Sequence, residues 1–420
     1  MKEPKKVVVI GGGFAGLEVV KYLNKSDRFD VTLVDLNNYN FFPPLLYQVA
    51  AGFMEPSAIS YPFRKILRNQ KTRFRMAGLE KVVPEENKVI LSNGELNYDI
   101  LIMATGAESN FFGNQSIEQG SLPMKTISDA LTLRNTYLLR LERASRMTDP
   151  EQRKKLLSYV IAGAGPTGVE LSGIFAEMRK NILEKDFPEL KNEDLGEIYL
   201  IDGQSSVLAA MNSKSQKYTH EKLLKLGVNI KLNTLVKEFK DDIVYLSDGS
   251  EIPCRNLIWA AGIISKVFEG FKPENFGTGR RLRVNPYNLV EGYDNIFAIG
   301  DTALMQSDSG YPEGHPQLAQ PAIQQGRNLG KNLIQESGDW KEFVYKDVGS
   351  MAIIGRNQAV ADIPRPKISF TGFPAWFIWV FVHIMSLVNF RNRLRALYDW
   401  TGYYIRKDQS FRMIIRPRND

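Results

Sequence analysis

Three glycines in G-x-G-x-x-G spacing, Gly11, Gly13 and Gly16, follow directly on the apolar run 7–10 (VVVI). A strand that turns abruptly into a helix needs glycine three times: for the tight turn, for backbone approach to a pyrophosphate, and for close packing of the helix on the strand. The free N–H groups and positive dipole end of that helix then hold phosphate. Asp35 ends the next apolar run, 31–34, about twenty residues on, where a carboxylate bonds the two ribose hydroxyls of an adenosine. Strand, glycines, helix, second strand and acid in this order predict a bound dinucleotide. The pattern then recurs. Gly163, Gly165 and Gly168 stand in YVIAGAGPTGVELSG, and a second acid, Asp202, follows the apolar run 198–201. The segment LIMATG, ending in Ala104-Thr105-Gly106, is echoed by LIWAAG, ending at Gly262, at a similar distance from each set of glycines. Small residues there let backbone approach a ligand.

These turns imply the elements that position them: buried parallel strands at 7–10, 31–34, 99–103, 158–162, 198–201, 257–262 and 295–299, with a helix over 131–146. Residues 74–84 and 88–91, with the Asn93-Gly94 turn, predict a small antiparallel meander. The proline-broken stretch FFPPLLYQVAAGF is not a regular strand, and its apolar character predicts packing against whatever the first glycine turn binds. The charged segment 179–197 reads as a surface extension of helix and loop. Asp202 also selects a ligand. A carboxylate accepts from a ribose 2′-hydroxyl but repels a 2′-phosphate, and Gly203, Gln204, Ser205 and Ser206 offer no arginine, so the second turn favours NADH over NADPH.

Composition limits the chemistry. A chain of 420 residues with 43% hydrophobic content builds two to three domains. One cysteine, Cys254, forbids an internal disulfide or cysteine pair, and three scattered histidines leave no metal cluster, so redox chemistry must use a bound organic cofactor. The apolar run before the first glycines is too short for a signal peptide, which predicts a cytoplasmic location. The net charge is +7, and residues 361–420 alone carry ten Lys/Arg against four Asp/Glu. That asymmetry favours a membrane or nucleic-acid surface.

Both fingerprints, together with FFPPLLYQVAAG, ATGA, WAAG, IFAIGD, AQPAIQQG and GSMAIIGRNQAVA, resemble the type II NADH dehydrogenases, non-pumping NADH:quinone oxidoreductases of the two-dinucleotide-binding-domain flavoproteins. The resemblance runs over nearly the whole chain. It implies an α/β fold with two Rossmann-type dinucleotide-binding domains and a C-terminal membrane-associating helical segment. The expected divisions are 1–118 and 276–345 for FAD, 119–275 for NADH, and 346–420 for the anchor. It further implies that FAD lies on Gly11, Gly13, Gly16, Asp35, Ala104, Thr105, Gly106, Asp301 and Gln320, NADH on Gly163, Gly165, Gly168, Asp202 and Gly262, and that Gln320 and Gln324 lie where quinone docks. Where members often carry a histidine before Phe-x-Pro-Leu-Leu, this chain has Tyr39 and Asn40, so contacts there do not carry over. Paired cysteines would be needed for a disulfide reductase or sulfide:quinone reductase. Ferredoxin-type reductases remain open but need no basic, tryptophan-rich tail.

Three residue roles have two readings each. Asp301 is a helix N-cap or a cofactor contact. Glu170 is a first-turn carboxylate matched to the helix dipole, like Glu18 after Gly16, or a proton relay to the quinone. Gln320 and Gln324 are i, i+4 helix formers or partners of a quinone carbonyl. The tail FPAWFIWVFVHIMSLVNF is near spanning length. Its stripe Trp376, Trp379, His383 and Ser386 is polar or amphipathic, and arginines follow at once, which predicts an interfacial helix on the cytoplasmic face of the inner membrane, peripheral and separable near Ser369. The competing reading is a helix that seals a homodimer. Nucleic acid is disfavoured because the apolar block would lie bare. Against the enzyme stands a non-catalytic, NADH-responsive flavoprotein whose tail binds a protein.

Overall fold

The computed structural model describes residues 3–190, 195–335, 337–406 and 412–415. Contacts divide it into two units: 1–41, 61–108 and 263–347 form the first, and 42–60, 109–262 and 348–420 the second. The boundaries differ from those expected. The stretch 42–60 and the C-terminal region both belong to the second unit, and the Tyr39–Phe41 strand and Phe42–Ser60 part company.

The first unit is built on a five-stranded parallel sheet in spatial order Ile296–Ala298, Ile100–Met103, Lys5–Ile10, Phe29–Asp35, Arg73–Met76. Counted along the chain this is 3-2-1-4-5, the doubly wound order that opens a crevice at the carboxyl ends of the strands. Both faces are covered, so the inner strands are apolar along most of their length, while the edge strand Arg73–Met76 is only partly buried. Val8, Ile10, Val34 and Leu101 feed one core, and their neighbours Val7, Val9, Leu33 and Ile102 the other. The Phe14–Leu23 helix lies on the Ala319–Leu333 helix in that second core. Gly326 and Gly330 make the approach: a Cβ at either would overlap Ala15 or Tyr22. The meander forms as expected from Leu79–Val83, Lys88–Leu91 and Gly94–Asn97, but Arg73–Met76 belongs to the parallel sheet. Asn87, in left-handed backbone (φ +49°), makes the first hairpin turn.

The second unit repeats the plan. Its parallel sheet runs Leu122–Pro123, Asn256–Trp259, Tyr159–Ala162, Ile198–Ile201, Val228–Lys231, and a second antiparallel meander, Val236–Lys240, Ile243–Leu246 and Glu251–Pro253, precedes the Asn256–Trp259 strand as the first meander precedes Ile100–Met103. The segment 179–197 departs from expectation. Leu183, Leu190 and Leu195 are buried, because the extension closes over the apolar space beside Tyr137, Tyr159 and Phe175.

The C-terminal region is part of this unit's packing. A three-stranded sheet, Ser350–Gly355, Gln358–Ile363 and Ile368–Gly372, lies on the Pro166–Met178 helix, where Gly173 leaves room for the Ile354 carbonyl. Asp362 fastens it further, accepting from Asn212 N (2.9 Å) and Ser215 Oγ (2.7 Å). The Phe373–Ser386 and Phe390–Arg406 helices follow. Among the described residues no helix is long and apolar enough to cross a membrane.

In the Phe373–Ser386 helix the polar stripe is turned largely inward. Trp379 and His383 are buried with Ala375, Trp376 is half-buried, and only Ser386 is exposed. The row Phe373, Phe377, Phe381, Met385 is 48–61% exposed. Two rows offset by two residues lie about 200° apart around a helix, so one row packs while the other is bare.

Candidate functional site

The two glycine turns agree bond for bond. Gly11 and Gly163 both have φ +103°, and a Cβ on either would overlap a carbonyl of the neighbouring strand's end, Ala104 or Ala260. Gly11 N donates to Val34 O (2.8 Å) and Gly163 N to Ile201 O (2.8 Å). Gly16 and Gly168 press against the carbonyls of Gly11 and Gly163, leaving no room for a side chain. At Gly13 and Gly165 nothing described lies within 4 Å of an added Cβ, so each turn is open on the side where phosphate approaches.

The acids are matched in the same way. Asp35 accepts from Gly12 N (2.7 Å) and Asn37 N (2.8 Å), and Asp202 from Ala164 N (2.5 Å) and Gln204 N (2.7 Å). Each carboxylate ties its strand end to the glycine turn and retains lone pairs for ribose. Burial pushes the Asp35 carboxyl up, and the two backbone N–H groups pull it back. Lys231, on the strand beside Asp202, has its ammonium on Asp248 and Ser250 (3.1 Å each), so it does not offset the carboxylate.

Also in the first unit, Thr105 Oγ1 meets Thr302 Oγ1 (2.9 Å), and Gly106 (φ +70°) leaves open space. Ala104, buried, fills the gap beside Gly16. Asp301 lies in the Gly300–Thr302 turn, and the Ala319–Leu333 helix is entered from Leu318 without a capping side chain, so Asp301 is not its N-cap. Three residues not singled out from sequence hold that turn: Gln325 accepts from Gly300 N (2.6 Å), and Gln317 Nε2 (2.9 Å) and Ser265 Oγ (2.7 Å) donate to Asp301 O. The third glutamine of AQPAIQQG was their one visible signal.

The glutamine pair divides. Gln324 donates Nε2 to Lys346 O (2.9 Å) and accepts from Lys346 N (3.1 Å), so its amide clamps a backbone segment. Gln320 is half-buried at the helix start. In the second unit Gly262 (φ +145°) faces the Phe112 ring.

Glu170 is the fifth residue of the Pro166–Met178 helix, past its first turn, and 8% exposed, so the dipole role does not hold it. Glu18, its counterpart, pairs with Arg327 (3.1 Å). Glu170 instead lines an apolar cavity, partly open to solvent, within the second unit, with Gln48, Ile174, Trp376, Trp379 and Trp400. Burial raises its carboxyl well above the ordinary carboxylate range, and Ile353 N (3.5 Å) and the Trp379 indole offset this only in part. Trp379 Nε1 makes no hydrogen bond of good geometry. His383 stacks on Trp379 (3.9 Å between centroids), shares Nδ1 with Trp379 O (2.8 Å), and is pushed down to about 4 by burial. Burial thus shifts the Glu170 carboxyl on the wall, and the His383 imidazole behind Trp379, toward their neutral forms.

Two matched nucleotide turns, one in each unit, and in the second unit a cavity with a buried acid define a pyridine-nucleotide-linked oxidoreductase. Residues 5–326 match the pyridine nucleotide-disulphide oxidoreductase family and 348–406 the NDH2 C-terminal domain. The type II NADH:quinone oxidoreductase Ndh of Mycobacterium tuberculosis is 34% identical over 95% of this chain and 88% of its own. The internal alternative NAD(P)H-ubiquinone oxidoreductase A1 of Arabidopsis thaliana mitochondria is 28% identical over 96% and 84%. NDH2 of Plasmodium falciparum, solved in complex with NADH, superposes with a TM-score of 0.88 over 99% of this chain and 100% of its own at 22% identity. The chain belongs to the type II NADH:quinone oxidoreductases, in the pyridine nucleotide-disulphide oxidoreductase family.

Proposed function

We propose that this chain oxidises NADH and reduces a membrane quinone through FAD, without pumping ions. One observation carries the reading: within the second unit, Glu170 stands two residues past the nucleotide turn and also on the wall of the apolar cavity. A single turn of helix thus joins the site for NADH to a site fit for an apolar, carbonyl-bearing acceptor. Gly11, Gly13, Gly16 and Asp35, with Ala104, Thr105, Gly106, Asp301 and Gln320, hold FAD; Gly163, Gly165, Gly168, Asp202 and Gly262 hold NADH. The open turn at Gly13, the anchored Asp35 and the uncapped start of the Ala319–Leu333 helix suit a dinucleotide's phosphates and ribose. FAD, when bound, supplies hydride acceptance from NADH and two-electron delivery to the quinone.

The chain's own groups do the rest. NADH, a proton and quinone become NAD⁺ and quinol, so one proton must come from outside the hydride. Glu170, which burial shifts toward its protonated form, holds that proton on its carboxyl oxygen and delivers it to a quinone oxygen. The bare row Phe373, Phe377, Phe381 and Met385 continues in Val388, Phe390, Leu394 and Leu397, a surface for lipid on the cytoplasmic face of the inner membrane, where NADH is supplied. An anaerobic NADH titration followed in the flavin bands, then a challenge with ubiquinone-1, tests the function. Rapid reoxidation is expected; reduction by NADH with slow reoxidation would identify the signalling flavoprotein instead. Vesicle flotation and sedimentation test the bare face: flotation supports lipid, and a dimer that does not float refutes it.

A further inference from the structure

Gln48 is 5% exposed on the wall of the Glu170 cavity and belongs to neither nucleotide turn. Its backbone is fixed: the Gln48 carbonyl accepts from Phe53 N (2.8 Å) and Met54 N (3.3 Å), where Gly52 (φ +71°) folds the chain back on the Leu46–Ala50 helix. The side chain is fixed as well. Trp400 Nε1 donates to Gln48 Oε1 (2.5 Å), and Gln48 Nε2 donates to Tyr47 Oη (2.9 Å). An indole nitrogen only donates, so the atom facing Trp400 is the amide oxygen, and the orientation of the amide follows. Trp400 is held in turn by its helix, which Asn392 ties to Ser60 O (3.0 Å) and Arg395 to Glu55.

A primary amide has two N–H donors and two acceptor lone pairs. Tyr47 and Trp400 use one of each. We propose that the remaining N–H and lone pair of Gln48 bind the headgroup oxygen of the quinone, the N–H donating to the carbonyl of the oxidised form and the lone pair accepting from the hydroxyl of the reduced form. The amide then holds both redox states without rotating, while Glu170 supplies one of the two protons by which they differ, the other and the two electrons deriving from NADH. Trp400 is the positioning residue that keeps the amide from flipping. This inference rests on the cavity being the quinone site.

The test uses full-length holoprotein in detergent, with ubiquinone-1 and menadione as probes. Quinone KM and kcat are measured in turnover, and quinone Kd without NADH by quenching of tryptophan fluorescence. Gln48→Leu is expected to raise quinone KM and Kd about tenfold, the loss of one buried hydrogen bond, with flavin reduction by NADH as internal reference. Trp400→Phe keeps a benzene ring and removes the N–H together with the rest of the pyrrole ring, and is expected to raise KM about threefold with a smaller change in kcat. It decides the matter if Gln48→Leu yields no holoprotein. Unchanged KM and Kd in Gln48→Leu, or in Trp400→Phe where that variant decides, overturns the role of Gln48. Ile174→Trp, which fills the cavity, separates the two levels: blocked quinone reduction supports the cavity, whereas wild-type quinone kinetics in that variant remove the cavity reading and this inference with it.

Discussion

Glu170→Gln should stabilise the protein increasingly as pH rises, and slow it. The folded carboxyl titrates well above its ordinary value of 4.5 because burial removes water from it, with only the Ile353 N–H and the Trp379 indole opposing. Between 4.5 and the folded value, the unfolded chain has released this proton and the folded chain has kept it. Folding therefore takes up a proton. Stability from this group is intact below 4.5 and falls as pH rises, by about 1.4 kcal/mol per pH unit, until the folded value is passed. Glutamine has no proton to take up, so the stability difference between variant and wild type should widen by that slope, about tenfold in the unfolding constant per unit. Any fixed cost of exchanging carboxyl for amide shifts the difference without tilting it. Urea unfolding at pH 5, 6 and 7, followed by tryptophan fluorescence, measures the slope. Quinone turnover should fall in the same variant, because an amide does not deliver the proton. A difference independent of pH would show that Glu170 is ionised in its cavity; unchanged turnover across the pH range would remove it from the reaction.

Asp202, anchored by two N–H groups and with Lys231 held by Asp248 and Ser250, should make NADH strongly preferred to NADPH, and equal catalytic efficiencies would refute that assignment. Gln324→Leu breaks two hydrogen bonds to Lys346 and should cost about 1–3 kcal/mol of stability, read by denaturant unfolding; loss of quinone binding at unchanged stability would return Gln324 to the quinone site. Phe377→Ser with Phe381→Ser removes two side chains, each contributing about 1.5–3 kcal/mol if immersed, so vesicle partition should weaken about 100-fold or more at any salt concentration. Partition that responds to salt and not to this pair would make the contact electrostatic. Truncation near Ser369 should fail to give a clean soluble protein, since it strips buried Ala375 and Trp379 from the second unit; an intact cavity in such a chain, seen as unchanged ubiquinone-1 kinetics, would overturn that.

The nucleotide turns were legible because their requirements are local. Positive φ at Gly11 and Gly163 and the overlap of Gly16 and Gly168 with a carbonyl admit only glycine, so the chemistry is written in consecutive letters. The cavity was not legible. Gln48, Glu170, Trp379 and Trp400 meet only because the C-terminal sheet lies on the Pro166–Met178 helix and the last two helices follow it, and no periodicity in one segment reports such a meeting. Glu170 and Trp379 were noticed for other reasons; Gln48 and Trp400 carried no local signal. The outward face of the Phe373–Ser386 helix was not legible, because polarity is the usual mark of the solvent side. Here His383 is inside and neutral, stacked on Trp379, and the phenylalanines are outside.

That inversion gives the helix a single physical logic. One row, Phe373, Phe377, Phe381 and Met385, is suited to hydrocarbon, while Trp376, Trp379 and Val380 of the same helix line the cavity. A quinone dissolved in lipid loses apolar contacts if it must cross water, at about 25 cal/mol for each Å² exposed. Leaving a bilayer that covers the outer row, it would meet tryptophan and valine on the same helix before any charged group of that helix. The helix is too short and too amphipathic in its packing to span, so its bare row has no other hydrocarbon to face within the second unit. On the proposed reading, anchorage and delivery of an apolar substrate would be two consequences of one distribution of side chains around one helix axis. The buried polar groups beside it, Glu170 and His383, are both shifted toward their neutral forms for the same reason: burial removes water from them.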